Sequence, residues 1–154
     1  LVIADEPTTA LDVTIQAQIL KLFKSIQESA ATSILYITHD LSVVSTIADR
    51  VLVMYAGVIV EQGRAADIFA RARHPYTQGL LASLPTVAKK GTRLQSIPGA
   101  VPNPAHKPPG CPFHPRCFAA RAACQRDFPE LIRCSGDHFT RCPVLACESP
   151  GSPA

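Results

Sequence analysis

Two short apolar runs, Leu1–Ala4 and Ser33–Thr38, flank a stretch with helical periodicity, and this order constrains the fold more than any other feature of the 154 residues. Between the runs, Ile15, Ile19, Leu22, Phe23 and Ile26 recur at helical spacing from Thr14 to Ser29, opposite Gln16, Lys21 and Lys24. A strand, a helix long enough to recross a sheet and a second strand make a β-α-β unit whose strands run parallel. Fully apolar strands of this kind are expected inside a sheet covered on both faces. The fold class is therefore α/β, a parallel sheet with helices.

Further along, Leu41–Ala48 suits a short helix, and Arg50–Tyr55 and Val58–Glu61 suit two strands meeting at Ala56-Gly57. Ala65–Arg73 and Tyr76–Leu84 read as helices, the second started by Pro75 and stopped by Pro85. Regularity then gives way to a linker containing PGAVPNPAHKPPG. All six cysteines lie between Cys111 and Cys147, and every proline except Pro7 falls at or after Pro75. The expected division is an α/β part over 1–73, a helix and Pro-rich linker over 74–110, a small Cys-rich, loop-rich tail over 111–147 and a disordered terminus over 148–154. Leu1 stands inside an apparent strand, so the sequence reads as the C-terminal part of a longer protein. The net charge of +3, with no basic block interleaved with aromatics, gives no support for a nucleic-acid partner. No apolar run approaches the roughly 18 residues of a membrane span.

The carboxyl ends of parallel strands share one sheet edge, where open α/β folds bind ligands. Asp5, Glu6 and His39 fall just beyond the two strand ends. A hard Mg²⁺ takes carboxylate or water oxygens, and an attacking water needs a base to orient it. In that chemistry Asp5 would hold the metal through water, Glu6 would polarise the nucleophile and His39 would contact the transferred phosphate. Each residue alone has a plainer reading: a solvated carboxylate pair, a structural histidine and, for Asp12, a helix cap.

Read together, LVIADEPTTALD and the later ITHD resemble the ATP-binding subunits of ABC transporters. The resemblance implies that the apolar run with Asp5 is the Walker B segment of a P-loop nucleotide-binding domain and that Glu6 is its catalytic base. It places the D-loop at Ala10-Leu11-Asp12 and the switch histidine at His39. It further implies ATP and Mg²⁺ as ligands, with ATP held between two such subunits. RVLVMYAGVIVEQG matches the segment that follows the switch, and HPYTQGLLASLP, IPGAVPNP and GCPFHPRC resemble the C-terminal extension of oligopeptide/dipeptide importers, a subgroup that includes nickel importers. Permease subunits, a second ATPase subunit, an external substrate-binding protein and a peripheral position on the cytoplasmic side of the membrane are implied with it. The G-x-x-x-x-G-K-[ST] loop and the LSGGQ-type signature are not found in the 154 residues, so these residues alone are expected to be inactive. A stand-alone metal-binding module and a non-transport ABC ATPase are the alternatives from other classes.

Cys111, Cys117, Cys124 and Cys142 are separated by five, six and seventeen residues, without the tight C-x₂-C pairs of zinc ribbons. An ATP-using domain belongs in a reducing compartment, which favours a metal over disulfides. The importer resemblance implies a [4Fe–4S] cluster on these four cysteines, with Zn²⁺ as the alternative. His114 and His138 are read as surface or capping residues that could otherwise replace a cysteine at zinc. Cys134 and Cys147 have no counterpart in the resemblance and read as free thiols, with Cys134 as a competing ligand the alternative. Arg116, Arg121, Arg126, Arg133 and Arg141 could offset the charge of a thiolate centre.

Overall fold

The computed structural model describes residues 1–84, 96–103 and 105–145. The readings made above for Cys147, for the terminus at 148–154 and for the middle of the linker lie outside these residues. The chain divides into two compact units, one over Leu1–Ala48 and one beginning at Asp49.

In the first unit, β1 (Val2–Asp5) and β2 (Ile34–Ile37) pair in parallel, with Val2 opposite Ile34 and Asp5 opposite Ile37. Helix α1 (Val13–Ser29) makes the crossover, and α2 (Leu41–Ile47) follows β2. The β-α-β reading therefore holds, within a residue or two at each boundary. The Asp12 carboxylate accepts the backbone N–H groups of Thr14 and Ile15, both at 2.9 Å, satisfying two donors that open α1. Asp40 caps α2 in the same way, accepting from Ser42 N–H at 2.9 Å. Packing is thin. Phe23 meets Tyr36 edge-on at 5.8 Å, Ala4 and Val43 are buried, and no residue of α1 is buried. Within these residues the strand pair is not covered on both faces: Ile3, Leu35 and Ile37 are 64%, 44% and 45% exposed. Two strands and two helices do not supply enough surface to cover both faces of the pair.

In the second unit, β3 (Arg50–Tyr55) and β4 (Val58–Arg64) form an antiparallel hairpin. Ala56 and Gly57 both have positive φ, 49° and 75°, as a two-residue turn matching the strand twist requires. Along β3, Val51, Val53 and Tyr55 point inward while Leu52 and Met54 point out, and a register shift after Val53 marks a bulge. Helices α3 (Ala65–Arg71) and α4 (Pro75–Ala82) follow as expected. Gly79 of α4 lets the 96–99 segment approach, because a Cβ there would lie 2.8 Å from the Ile97 side chain.

Residues 111–145 are largely irregular but contribute two short strands. After the short helix α5 (Ala122–Arg126), β5 (Ile132–Ser135) and β6 (His138–Thr140) form a hairpin whose β6 pairs antiparallel with β4. The sheet order is β3-β4-β6-β5, so residues of the expected tail complete a sheet begun at Arg50. Neither short run has an alternation strong enough to announce a strand. Cross-strand contact with β4 supplies the partner that local sequence does not signal.

Candidate functional site

Glu6 follows the last residue of β1, and its backbone N–H donates to Ile37 O at 2.9 Å, which continues the parallel ladder past Asp5. Its φ of 48° lies in the left-handed region, costly for a residue with a side chain. This conformation accompanies a side chain held on both oxygens. Oε1 lies 2.8 Å from His39 Nδ1, and Oε2 accepts the Thr9 hydroxyl at 2.5 Å. The Thr9 hydroxyl first, and His39 second, hold the Glu6 carboxyl below the usual carboxylate range, while Glu6 raises the His39 imidazole above its usual value. Asp5 is exposed at the end of β1 beside Glu6. Asp12 lies beyond the Thr8–Leu11 turn with its carboxylate committed to the α1 cap. Of the four sequence-predicted residues in this unit, the structure thus bonds Glu6 to His39, leaves Asp5 exposed at the end of β1 and places Asp12 at the next helix start. Thr9, inside the quoted DEPTTALD, was missed.

The second cluster lies around the cysteines. Cys111, Cys117, Cys124 and Cys142 line one cavity of about 300 Å³, joined by His74 and His114. Local turns gather them. Cys111 N–H donates to Cys124 O at 2.9 Å, and Cys117 N–H donates to His114 O at 3.2 Å. Gly110, with φ 68°, makes the first contact possible, since a Cβ would sit 2.4 Å from Cys124 O. Burial pushes the thiols of Cys111, Cys117 and Cys142 upward. Among the described residues no three His, Cys, Asp or Glu side chains form a group suited to one metal ion. Zinc–sulfur bonds of about 2.3 Å would require them to crowd around one point. What the structure shows of the four thiols is a shared cavity lining. Cys134 stands on β5 and is not part of the lining.

The residues behind this cavity were not singled out from sequence. Glu61 is fully buried and accepts from Arg73 N–H at 2.6 Å, from His74 N–H at 3.0 Å and from His138 Nε2 at 2.7 Å. A glutamate following Val58–Val60 in an apolar strand was the available signal, because a buried charge needs partners. His138 is consumed by this pair. Neither the surface reading nor the zinc reading of it stands. Arg116 donates from Nε to Pro98 O at 2.9 Å and from a guanidinium N–H to Ile97 O at 3.1 Å, with its fork over the Tyr55 ring. Arg141 likewise donates to Ile59 O and Pro129 O at 2.9 and 3.0 Å. These two arginines hold backbone rather than standing free to balance thiolates. Phe113 anchors the wall, packed on Tyr55, Tyr76 and His74 at 5.1, 5.4 and 5.8 Å.

A parallel β-α-β edge bearing an acidic pair and a bonded histidine, followed by a second mixed unit, fits the C-terminal part of an ABC-type ATPase domain. Comparison with known proteins narrows this. Residues 60–124 match the family described as the C-terminal region of oligopeptide/dipeptide transporters. The oligopeptide transport ATP-binding protein AppD of Bacillus subtilis is 51% identical over 142 residues, 92% of this chain and 43% of that protein. The dipeptide transport ATP-binding protein DppD of the same organism is also 51% identical over 142 residues, 92% of this chain and 42% of the relative. A putative peptide import ATP-binding protein of Brucella abortus is 48% identical over 143 residues, 93% of this chain and 43% of the relative. The chain is a homologue of oligopeptide/dipeptide transport ATP-binding proteins, and it spans about 43% of the length of these relatives.

Proposed function

We propose that these residues are the C-terminal share of an ATP-hydrolysing subunit that drives import of dipeptides or oligopeptides. The observation that carries this reading is the bonded Glu6–His39 pair at the carboxyl ends of parallel β1 and β2. Asp5 would hold Mg²⁺ through water, Glu6 would orient and polarise the attacking water, and His39 would contact the transferred phosphate. Asp12 would couple this site to the second ATPase subunit across the nucleotide. The subunit would sit peripherally on the cytoplasmic side, beneath permease subunits served by an external substrate-binding protein. Among the described residues no helix is long and apolar enough to cross a membrane. The match over 60–124 favours import over a non-transport ATPase, and the relatives' names favour peptides over nickel. In the ATPase that contains this chain, Glu6→Gln is expected to lower ATP turnover by at least about 10²-fold. Unchanged turnover would reject the role given to Glu6.

We infer in addition that Cys111, Cys117, Cys124 and Cys142 hold a [4Fe–4S] cluster. The cavity that the four cysteines line together supports this. A bound cluster would supply four thiolate cross-links and a one-electron couple, and cross-linking the tail is the role favoured here. Anaerobically purified protein should contain about four iron and four sulfide per chain, lost in Cys111→Ser or Cys142→Ser. Zinc alone would reject the cluster.

A further inference from the structure

Just past the end of β1, Glu6 to Thr9 close a tight turn. Pro7 takes its second position, where the fixed φ of proline suits a β-turn, and Thr9 N–H donates to Glu6 O at 3.1 Å. An i→i+3 closure of this kind folds the fourth residue back over the first. The Thr9 hydroxyl thereby reaches the Glu6 side chain and donates to Oε2 at 2.5 Å. The turn is itself anchored. Leu11 N–H donates to Thr8 O at 3.3 Å, and the hydroxyls of buried Thr8 and of Tyr36 on β2 lie 3.1 Å apart. Tyr36 packs edge-on against Phe23 of α1. Thr8 thus fastens the turn to the unit, while exposed Thr9 faces the carboxylate.

The carboxylate of a glutamate turns on a broad, roughly two-fold terminal torsion. The contact of Oε1 with His39, taken alone, would leave the group free to swing about that point. A second bond on the other oxygen fixes its plane. An ionised carboxylate offers about four lone-pair sites, so each oxygen keeps one for a water after accepting from His39 and Thr9. A base acts only within hydrogen-bond reach of the proton it takes, and small misplacements are costly in rate.

We propose that Thr9 is a positioning residue for the Glu6 base, its hydroxyl fixing the plane of a carboxylate that His39 grips at the other oxygen. The inference rests on reading Glu6 as the base of ATP hydrolysis. Thr9 acts through Glu6 and not on the nucleotide. The same bond favours the charged carboxylate and is the first cause holding it below its usual range, ahead of His39. The other charged groups at this edge are Asp5 at the end of β1 and Asp40 after His39, and Asp40 acts on the imidazole. Without the Thr9 hydroxyl, Glu6 therefore ionises, and becomes able to act as a base, only at higher pH.

The test uses Thr9→Val and Thr9→Ser in the ATPase that contains this chain. Valine keeps the branched outline without the hydroxyl, and serine keeps the hydroxyl. Thr9→Val should lower kcat about tenfold, the scale of one lost hydrogen bond, with KM for ATP unchanged and the acidic limb of the pH profile moved to higher pH. Thr9→Ser should retain most of the wild-type kcat. Where valine disturbs the turn, Thr9→Ala loses the hydroxyl without branching and carries the same expectation. Unchanged kcat without the hydroxyl, a change confined to KM, or an equal loss in Thr9→Ser would overturn the proposal. Coupling to Glu6 is read in a Glu6→Gln background, where Thr9→Val should lower the residual turnover no further. A second loss of about tenfold there would overturn the proposal as well. If Glu6→Gln by itself left turnover unchanged, the base reading would fail and this inference would fall with it.

Discussion

The two units place their charged groups in opposite settings. In Leu1–Ala48, Glu6 and His39 meet at an open strand edge with side chains 38% and 80% exposed, above a thin core. From Asp49 onward, Glu61 and His138 meet at 0% and 2% exposure, with two backbone N–H groups completing the carboxylate's shell. The same pair of residue types therefore serves different ends. An exposed pair can be rearranged at little cost and is available for chemistry. A buried pair is bound into the fold, because removing either partner leaves an uncompensated polar group.

The contrast is tested most severely at Glu61. Glu61→Ala removes the acceptor of three donors at once, and the loss should be about 3–5 kcal/mol. Chemical unfolding measures it, and hydrogen exchange should show protection lost together at β4, β6 and the start of α4. A loss below about 1 kcal/mol, the scale of an exposed pair, would erase the distinction between the units.

Gly110 gives the next largest effect. An alanine there must adopt left-handed φ and place its Cβ against Cys124 O. The expected cost is at least about 2 kcal/mol, and Cys111 and Cys124 should react faster with a thiol reagent. In the first unit, Asp12→Ala removes an acceptor for two N–H groups and should cost about 1 kcal/mol, read as lost exchange protection in the first turn of α1. If that loss matched the one at Glu61, the first unit would be as tightly determined as the second.

The same comparison explains what was legible in sequence. The β-α-β unit, Asp5, Glu6, Asp12 and His39 could be read because their determinants lie in contiguous motifs, and the strand–helix–strand order brings both strand ends to one edge. The hairpin turn at Ala56-Gly57 was readable for the same local reason. Glu61 and His138 are 77 positions apart, and their bond exists only because β6 pairs with β4. Three short tail residues, His138–Thr140, have too little periodicity to announce a strand. The cysteines were visible as a set, but their cavity depends on Gly110 and on His74 from an element far upstream. Sequence exposed the four cysteines and hid their supports, since supports are long-range by construction.

The smallest effect on stability should come from Glu6→Gln, and this is what makes it informative. The His39 imidazole is raised above its usual value by the Glu6 carboxylate, while the Glu6 carboxyl is lowered chiefly by Thr9 and then by His39. A raised histidine contributes its attraction below its ordinary pKa of about 6.5 and loses it as pH climbs through the raised value. A lowered carboxyl contributes above its ordinary range and loses the contribution as pH falls through the lowered value. The charged pair therefore persists from below the usual carboxylate range to above the usual histidine range. In Glu6→Gln, an NMR titration of the His39 ring should find its midpoint moved down toward the ordinary value, with no change in melting temperature. An unmoved midpoint would mean that the exposed pair does not form in solution. A large drop in melting temperature would mean that it carries structure, as Glu61 and His138 do, and the division between a pair for chemistry and a pair for folding would have to be abandoned.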